Sequence, residues 1–282
     1  MRPILFATAL TLTASAALAE DMWTTLPEPA PMPDAAIAGT AAVNGIEMYY
    51  ALYGEPTDTA PILLIHGGLG HADIWGAQVT DLIADYQVLV ADTRGHGRST
   101  NDGSAYSIEL LAQDYLALMD HLEIETVHLV GWSDGANIGY EISKVAPERL
   151  ASHFAHAGNV TLTDAIDPGV NEDPVFGNYV MSMGAAYAEM SPTPDGFEDF
   201  LNGVAAMWFT DKPDGLIEAQ EITVPTIVVH SQHDEAILLG HSTAIAEAMP
   251  EGELLVLEDV SHFAMLQDPD GYTAAIRAFV EE

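Results

Sequence analysis

A chain of 282 residues with 49% hydrophobic and 18% charged residues is too apolar for a disordered protein and long enough for one large domain or two small ones. Its 7 Lys and Arg face 43 Asp and Glu, a formal net charge of −36, which excludes nucleic acid and an anionic membrane surface as natural partners. With no cysteine there is no disulfide, thiolate nucleophile or cysteine-ligated zinc. The acidity itself reads either as a solvated surface suited to salty surroundings or as a field that draws cationic ligands.

Residues 1–19 have the form of a cleavable secretory signal peptide. Arg2 opens the segment, an uncharged apolar run follows, and Ala17-Leu18-Ala19 offers a small-x-small cleavage site. The run is shorter than the ~20 residues of a spanning helix. The expectation is therefore an exported protein, periplasmic or secreted, with no membrane span in the mature chain. Residues 20–39 carry Pro27, Pro29, Pro31 and Pro33 at alternate positions, which favours an extended arm over a helix.

From residue 40 to 282, strand-like and helix-like segments alternate. A strand is expected at 46–53, a short continuous apolar strand at 61–65, a helix at 73–86 and a strand at 87–91. An amphipathic helix at 107–122 follows, then a strand at 126–130, a helix at 136–145 and a strand at 150–155. Residues 161–221 break the rhythm with five prolines around helical pieces at 176–190 and 197–208. Strands at 226–229 and 253–257 and helices at 242–249 and 272–280 complete the chain. This pattern predicts an α/β fold: a mostly parallel sheet with helices on both faces and a small helical cap inserted at about 161–221.

The chemistry concentrates where the strand at 126–130 runs into Gly131-Trp132-Ser133-Asp134-Gly135 and directly into a helix. Strand, G-x-S-x-G and helix in that order are what a nucleophile elbow requires. The turn is so sharp that side chains at either glycine would collide, and the helix behind it aims backbone N–H groups at the site. A hydroxyl needs a base and the base needs an orienting carboxylate. His262, just past the strand at 253–257, and Asp234, just past the strand at 226–229, follow Ser133 in the chain order that this template demands. In a parallel sheet all three lie on one rim. Negative charge developing on an acyl oxygen needs donors. The Asp134 N–H is one, and the glycine-rich loop His66-Gly67-Gly68-Leu69-Gly70 supplies the other from Gly68 or Leu69.

Taken together, the loop at 66–68, Asp92-Thr93-Arg94-Gly95-His96-Gly97-Arg98-Ser99, the elbow at 131–135, Asp234 and Ser261-His262-Phe263 resemble the α/β-hydrolase superfamily over roughly residues 40–282. The elbow is similar to that of valacyclovir hydrolase-like esterases, and that resemblance implies that Asp134 favours amino-ester substrates. The Asp92–Ser99 segment lacks the Lys-Ser/Thr ending of a phosphate loop and reads as a structural turn in which Arg94 and Arg98 form buried ion pairs. Asp259 is a rival acid, read instead as capping its turn. The scattered His pairs lack a metal-ligand spacing. In the cap, Met181, Met207 and Trp208, with Trp132 beside the nucleophile, are candidates for the substrate pocket.

These residues together predict an exported serine hydrolase that cleaves a small-molecule carboxylic ester and needs no cofactor. Lactone, amide or carbon–carbon bond hydrolysis and cofactor-free perhydrolysis use the same triad, and a binding protein that kept the fold without the chemistry is the alternative of a different class.

Overall fold

The computed structural model describes residues 21–210, 212 and 214–281; residues 1–19, expected to be a signal peptide, lie outside the described residues. Strands β1 (Ile37–Val43) and β2 (Ile46–Tyr53) form an antiparallel hairpin. Asn44 and Gly45 close it with φ of 43° and 84°, the two-residue turn that Asn-Gly favours. Next come β3 (Ile62–Ile65), a 3-10 turn at Ala72–Trp75, α1 (Gly76–Leu82) and β4 (Val88–Ala91). Then follow α2 (Ile108–His121), β5 (Val127–Trp132), α3 (Asp134–Val145) and β6 (Leu150–His156). Helices α4 (Pro174–Met190), α5 (Phe197–Trp208) and α6 (Gly215–Glu218) occupy the stretch before β7 (Thr226–Ser231). Helix α7 (Leu239–Ala248), β8 (Glu253–Leu257), α8 (Ala264–Gln267) and α9 (Pro269–Val280) finish the chain.

The eight strands form one sheet in the order β1-β2-β4-β3-β5-β6-β7-β8. Strand β2 runs antiparallel to β4, and from β4 to β8 every pair is parallel. Residues of β3 and β4 are buried without exception, as expected of strands covered on both faces. Helix α1 packs on α9, and α2 on α3. The strands from β3 to β8 end on one rim, where the loops after β3, β5, β7 and β8 converge. No helix among the described residues is long and apolar enough to cross a membrane.

The expected helix at 107–122 is α2, started by Ser107, whose hydroxyl accepts the Leu110 N–H. The helix expected over 73–86 is shorter: a 3-10 turn leads into α1, and after Leu82 the chain turns, with the Asp85 and Tyr86 N–H groups both returning to the Leu82 carbonyl. The arm also ends earlier than expected. Its prolines stop at Pro33, and Ile37 already pairs with Leu52, so residues 37–39 belong to the sheet rather than to the arm. The arm lies along the domain, with Leu26 and Met32 packed on the core and the Ala30 carbonyl over Gly76, where any Cβ would collide.

The Asp92–Ser99 turn is a charged clasp beneath the rim. The Asp92 carboxylate accepts N–H groups from Ala72 and Arg98 and the Arg98 guanidinium. Arg94 is fully buried and makes a two-pronged pair with Asp114, 2.7 and 2.8 Å, with Asp102 on its other side.

Candidate active site

The elbow between β5 and α3 places Ser133 at φ 54° and ψ −118°, a conformation that L-residues avoid and that persists only where the surroundings impose it. Neighbouring atoms do so. A Cβ on Gly131 would strike the Gly135 carbonyl, and one on Gly135 would strike the Ile65 carbonyl. The Ser133 N–H is held by the His156 carbonyl at 2.8 Å, and its own carbonyl accepts the Ala136 and Asn137 N–H groups. The side chain is thereby lifted off the sheet, half-buried, at the wall of a cavity that also reaches His262.

His262 is buried on the loop after β8. Its Nδ1 lies 3.0 and 3.2 Å from the two carboxylate oxygens of Asp234. Asp234 Oδ1 also accepts the Ala236 and Ile237 N–H groups, which fixes the carboxylate. Burial opposes charge on both groups, yet each shifts toward its charged form. The Asp234 carboxyl sits below its ordinary range because of the imidazole and those N–H groups. The His262 imidazole sits above its ordinary value because the carboxylates of Asp234, Glu235 and Asp134 outweigh desolvation. Asp259 is exposed at the tip of its turn, with its N–H on the Gln232 side chain, and the His262 ring bonds to Asp234 instead.

Trp132, a candidate for the pocket wall, does not line it. It packs below the elbow instead: it is buried, its Nε1–H donates to the His262 carbonyl at 2.8 Å, and it is absent from the cavity wall. The wall is built instead by Met207 and Trp208 from α5, Phe176 from α4, and Asp134 and Asn137 from α3. Met181 is the second correction. On α4, Tyr179, Met183 and Tyr187 recur every four residues and face inward, whereas Met181 is half a turn away and 68% exposed.

Asp134 is buried and accepts the Trp208 Nε1–H at 2.7 Å. Burial raises its carboxyl to about 6, against the opposing pull of Trp208 and His262. Gly68 must be glycine, since a Cβ there would press on both the Asp134 carboxylate and the Trp208 ring. The Gly68 carbonyl accepts the Tyr179 hydroxyl at 2.8 Å, and Leu69 turns the chain with φ 65°. The peptide between them therefore points its N–H, that of Leu69, away from Tyr179. His66 anchors this loop through its Nδ1–H to the Gly67 carbonyl and by accepting the Thr93 N–H at Nε2, with burial pushing its pKa down to about 4.

Glu235 escaped the sequence reading, because a carboxylate next to Asp234 looks like an ordinary surface charge. Its Oε2 accepts the His262 N–H at 3.0 Å, and burial raises its carboxyl to about 7. The cavity, about 340 Å³, also extends beyond the cap residues. It follows α3 through Asn137 and Tyr140 to Lys144, which is held by Glu141 and Glu218 at 2.8 and 2.6 Å. Apolar Val160, Ala219 and Ile222 face this stretch of the helix.

The model of the alpha/beta hydrolase fold matches residues 60–198. A protein of Azorhizobium caulinodans described as a carbamate hydrolase (RutD) is 26% identical over 84% of this chain and 96% of its own. The 3-oxoadipate enol-lactonase 2 of Acinetobacter baylyi is 26% identical over 86% of this chain and 96% of its own. The crystal structure of the enol-lactonase from Burkholderia xenovorans LB400 superposes with a TM-score of 0.67 at 26% identity, covering 86% of this chain and all of that one. Fold, motif order and relatives agree: the chain belongs to the α/β-hydrolase superfamily and is an enzyme of the hydrolase type.

Proposed function

We propose that the protein is an exported serine hydrolase that cleaves carboxylic esters, or their cyclic form the lactones, through an acyl-enzyme. The observation that carries this reading is the Asp234–His262 pair at 3.0 Å on a cavity whose wall also includes Ser133 in its strained elbow. With Nδ1–H committed to Asp234, the imidazole presents Nε2 as a base. Ser133 Oγ attacks the acyl carbon as Nε2 takes its proton, and the same proton is returned to the leaving alkoxide. In deacylation His262 Nε2 takes a proton from water as its oxygen attacks the acyl carbon, then returns that proton to Ser133 Oγ as the acid leaves. The Asp134 N–H, at the first position of α3 where no helical partner exists, is one donor to the oxyanion. The glycine loop supplies the second from Gly68 or Leu69.

Lactones enter the proposal through the enol-lactonase relatives, which share a quarter of their residues with this chain over nearly their whole length. A narrower reading concerns the amine. The Asp134 carboxylate on the cavity wall, next to Ser133, is a counter-charge for an ammonium group on the substrate. Export rests on the pattern of residues 1–19 and is tested by locating the processed chain in cell fractions. The hydrolase reading is tested with p-nitrophenyl acetate and with a neutral lactone. Turnover of either that vanishes in Ser133→Ala supports it; turnover of neither by the folded protein moves the non-catalytic reading ahead.

A further inference from the structure

The base loop is poorly supported by the sheet. It hangs from β8, which among the described residues is an edge strand paired with β7 alone and whose residues are exposed or half-buried. Support arrives from the other end of the sequence. The Trp23 ring stacks on His233, the residue before Asp234, with centroids 4.0 Å apart and planes 14° from parallel. Two residues on, the Thr25 carbonyl accepts the Gln267 side-chain N–H at 2.8 Å. Gln267 is buried and uses its other contacts on Ser261, the residue before His262. Its Oε1 accepts the Ser261 N–H at 2.7 Å, and its Nε2 donates to the Ser261 hydroxyl at 3.0 Å. The two loops are tied to each other as well, by His233 N–H to the Val260 carbonyl and by His262 N–H to Glu235.

We propose that residues 21–26 of the N-terminal arm form a clamp that positions His262 against Asp234, with Trp23 and Gln267 as positioning residues. The arm touches each loop one residue away from its proposed catalytic group, once through an aromatic face and once through an amide that serves both partners. A segment that merely covered apolar surface would have no need of the second contact. The rest of the arm does such covering: Met32 packs on the core. Without the arm the base loop keeps its edge strand, Trp132 and its ties to Asp234 and Glu235 but loses the hold at His233 and Gln267, and a displacement of about 1 Å at a reacting group costs on the order of 100-fold in rate. A partial loosening is expected to cost about tenfold.

The inference rests on the triad reading, and its test separates the two. In the full-length protein, Trp23→Ala, Trp23→Phe, Gln267→Glu and Met32→Ala are compared by p-nitrophenyl acetate kinetics, fluorophosphonate labelling rate and Tm. Trp23→Ala is expected to lower kcat about tenfold, with KM within about twofold and labelling slowed by the same factor. Trp23→Phe, which keeps an aromatic face, stays within about twofold of wild type. Gln267→Glu keeps the Ser261 N–H bond but loses the donors to Thr25 and to the Ser261 hydroxyl, so it lowers kcat even if Trp23→Ala fails to fold. Met32→Ala lowers Tm and leaves kcat unchanged. An active wild type with undiminished kcat in the folded Trp23 and Gln267 variants overturns the clamp alone, as does an equal loss of kcat in Met32→Ala. A wild type that neither labels nor turns over removes the triad reading and the clamp together.

Discussion

Asp134 turns the amine preference into a number and a pH signature. With its carboxyl at about 6, the side chain is ~90% ionised at pH 7 and ~10% ionised at pH 5. A charge-assisted hydrogen bond from a substrate ammonium to that carboxylate contributes about 1.5–3 kcal/mol, a factor of about 10 to 150 in kcat/KM. The informative quantity is the ratio of kcat/KM for an amino-acid ester to that for its neutral isostere with CH₃ in place of NH₃⁺. Protonation of His262 slows both substrates alike and cancels in the ratio. The ratio is expected to fall as pH drops from 6.5 to 5, because the anion is lost as pH falls through 6 while the ammonium, which as an α-amino group titrates at about 7.7, stays charged over that range. Asp134→Asn, which keeps an acceptor for Trp208, is expected to flatten the profile at its low-pH value. A ratio near one at every pH, or equal losses for both esters in Asp134→Asn, refutes the reasoning.

Three further outcomes follow from the same geometry. The acidic limb of kcat/KM reports the neutral form of His262, and the carboxylates of Asp234, Glu235 and Asp134 raise its pKa. The limb is therefore expected above the ordinary imidazole value of ~6.5, and Glu235→Gln, which removes one of those charges, should move it to lower pH in the same assay. Asp114→Ala leaves the Arg94 guanidinium buried with only Asp102 beside it, and is expected to cost about 3–5 kcal/mol, read from urea midpoints at unchanged slope. Val160→Phe narrows the part of the cavity that runs along α3. It is expected to lower kcat/KM for p-nitrophenyl decanoate more than for the acetate; an equal effect on both would mean that substrate does not use this stretch.

What could be read from the chain alone was local. Two glycines around Ser133 dictate the elbow, because any Cβ there meets backbone. The apolar run at Ile62–Ile65 and the Ser107-capped α2 declare themselves through composition and spacing. The hairpin strand β1 was overlooked although Asn44-Gly45 marks its turn, since the prolines upstream drew the arm too far into the sheet. Met181 and Tyr179 look equally apolar in sequence, and only the helical phase of α4 sends one to solvent. Trp23 against His233, Gln267 against Thr25 and Glu235 against the His262 backbone are separated by 27 to 242 positions in the chain and carry no local signal.

The most direct test of the central claim is fluorophosphonate labelling of the folded protein beside Ser133→Ala, with p-nitrophenyl acetate turnover measured on the same samples. One labelled site at Ser133 is expected, with labelling and turnover that disappear together in the variant. Turnover that survives in Ser133→Ala, or label found on another residue, would contradict it.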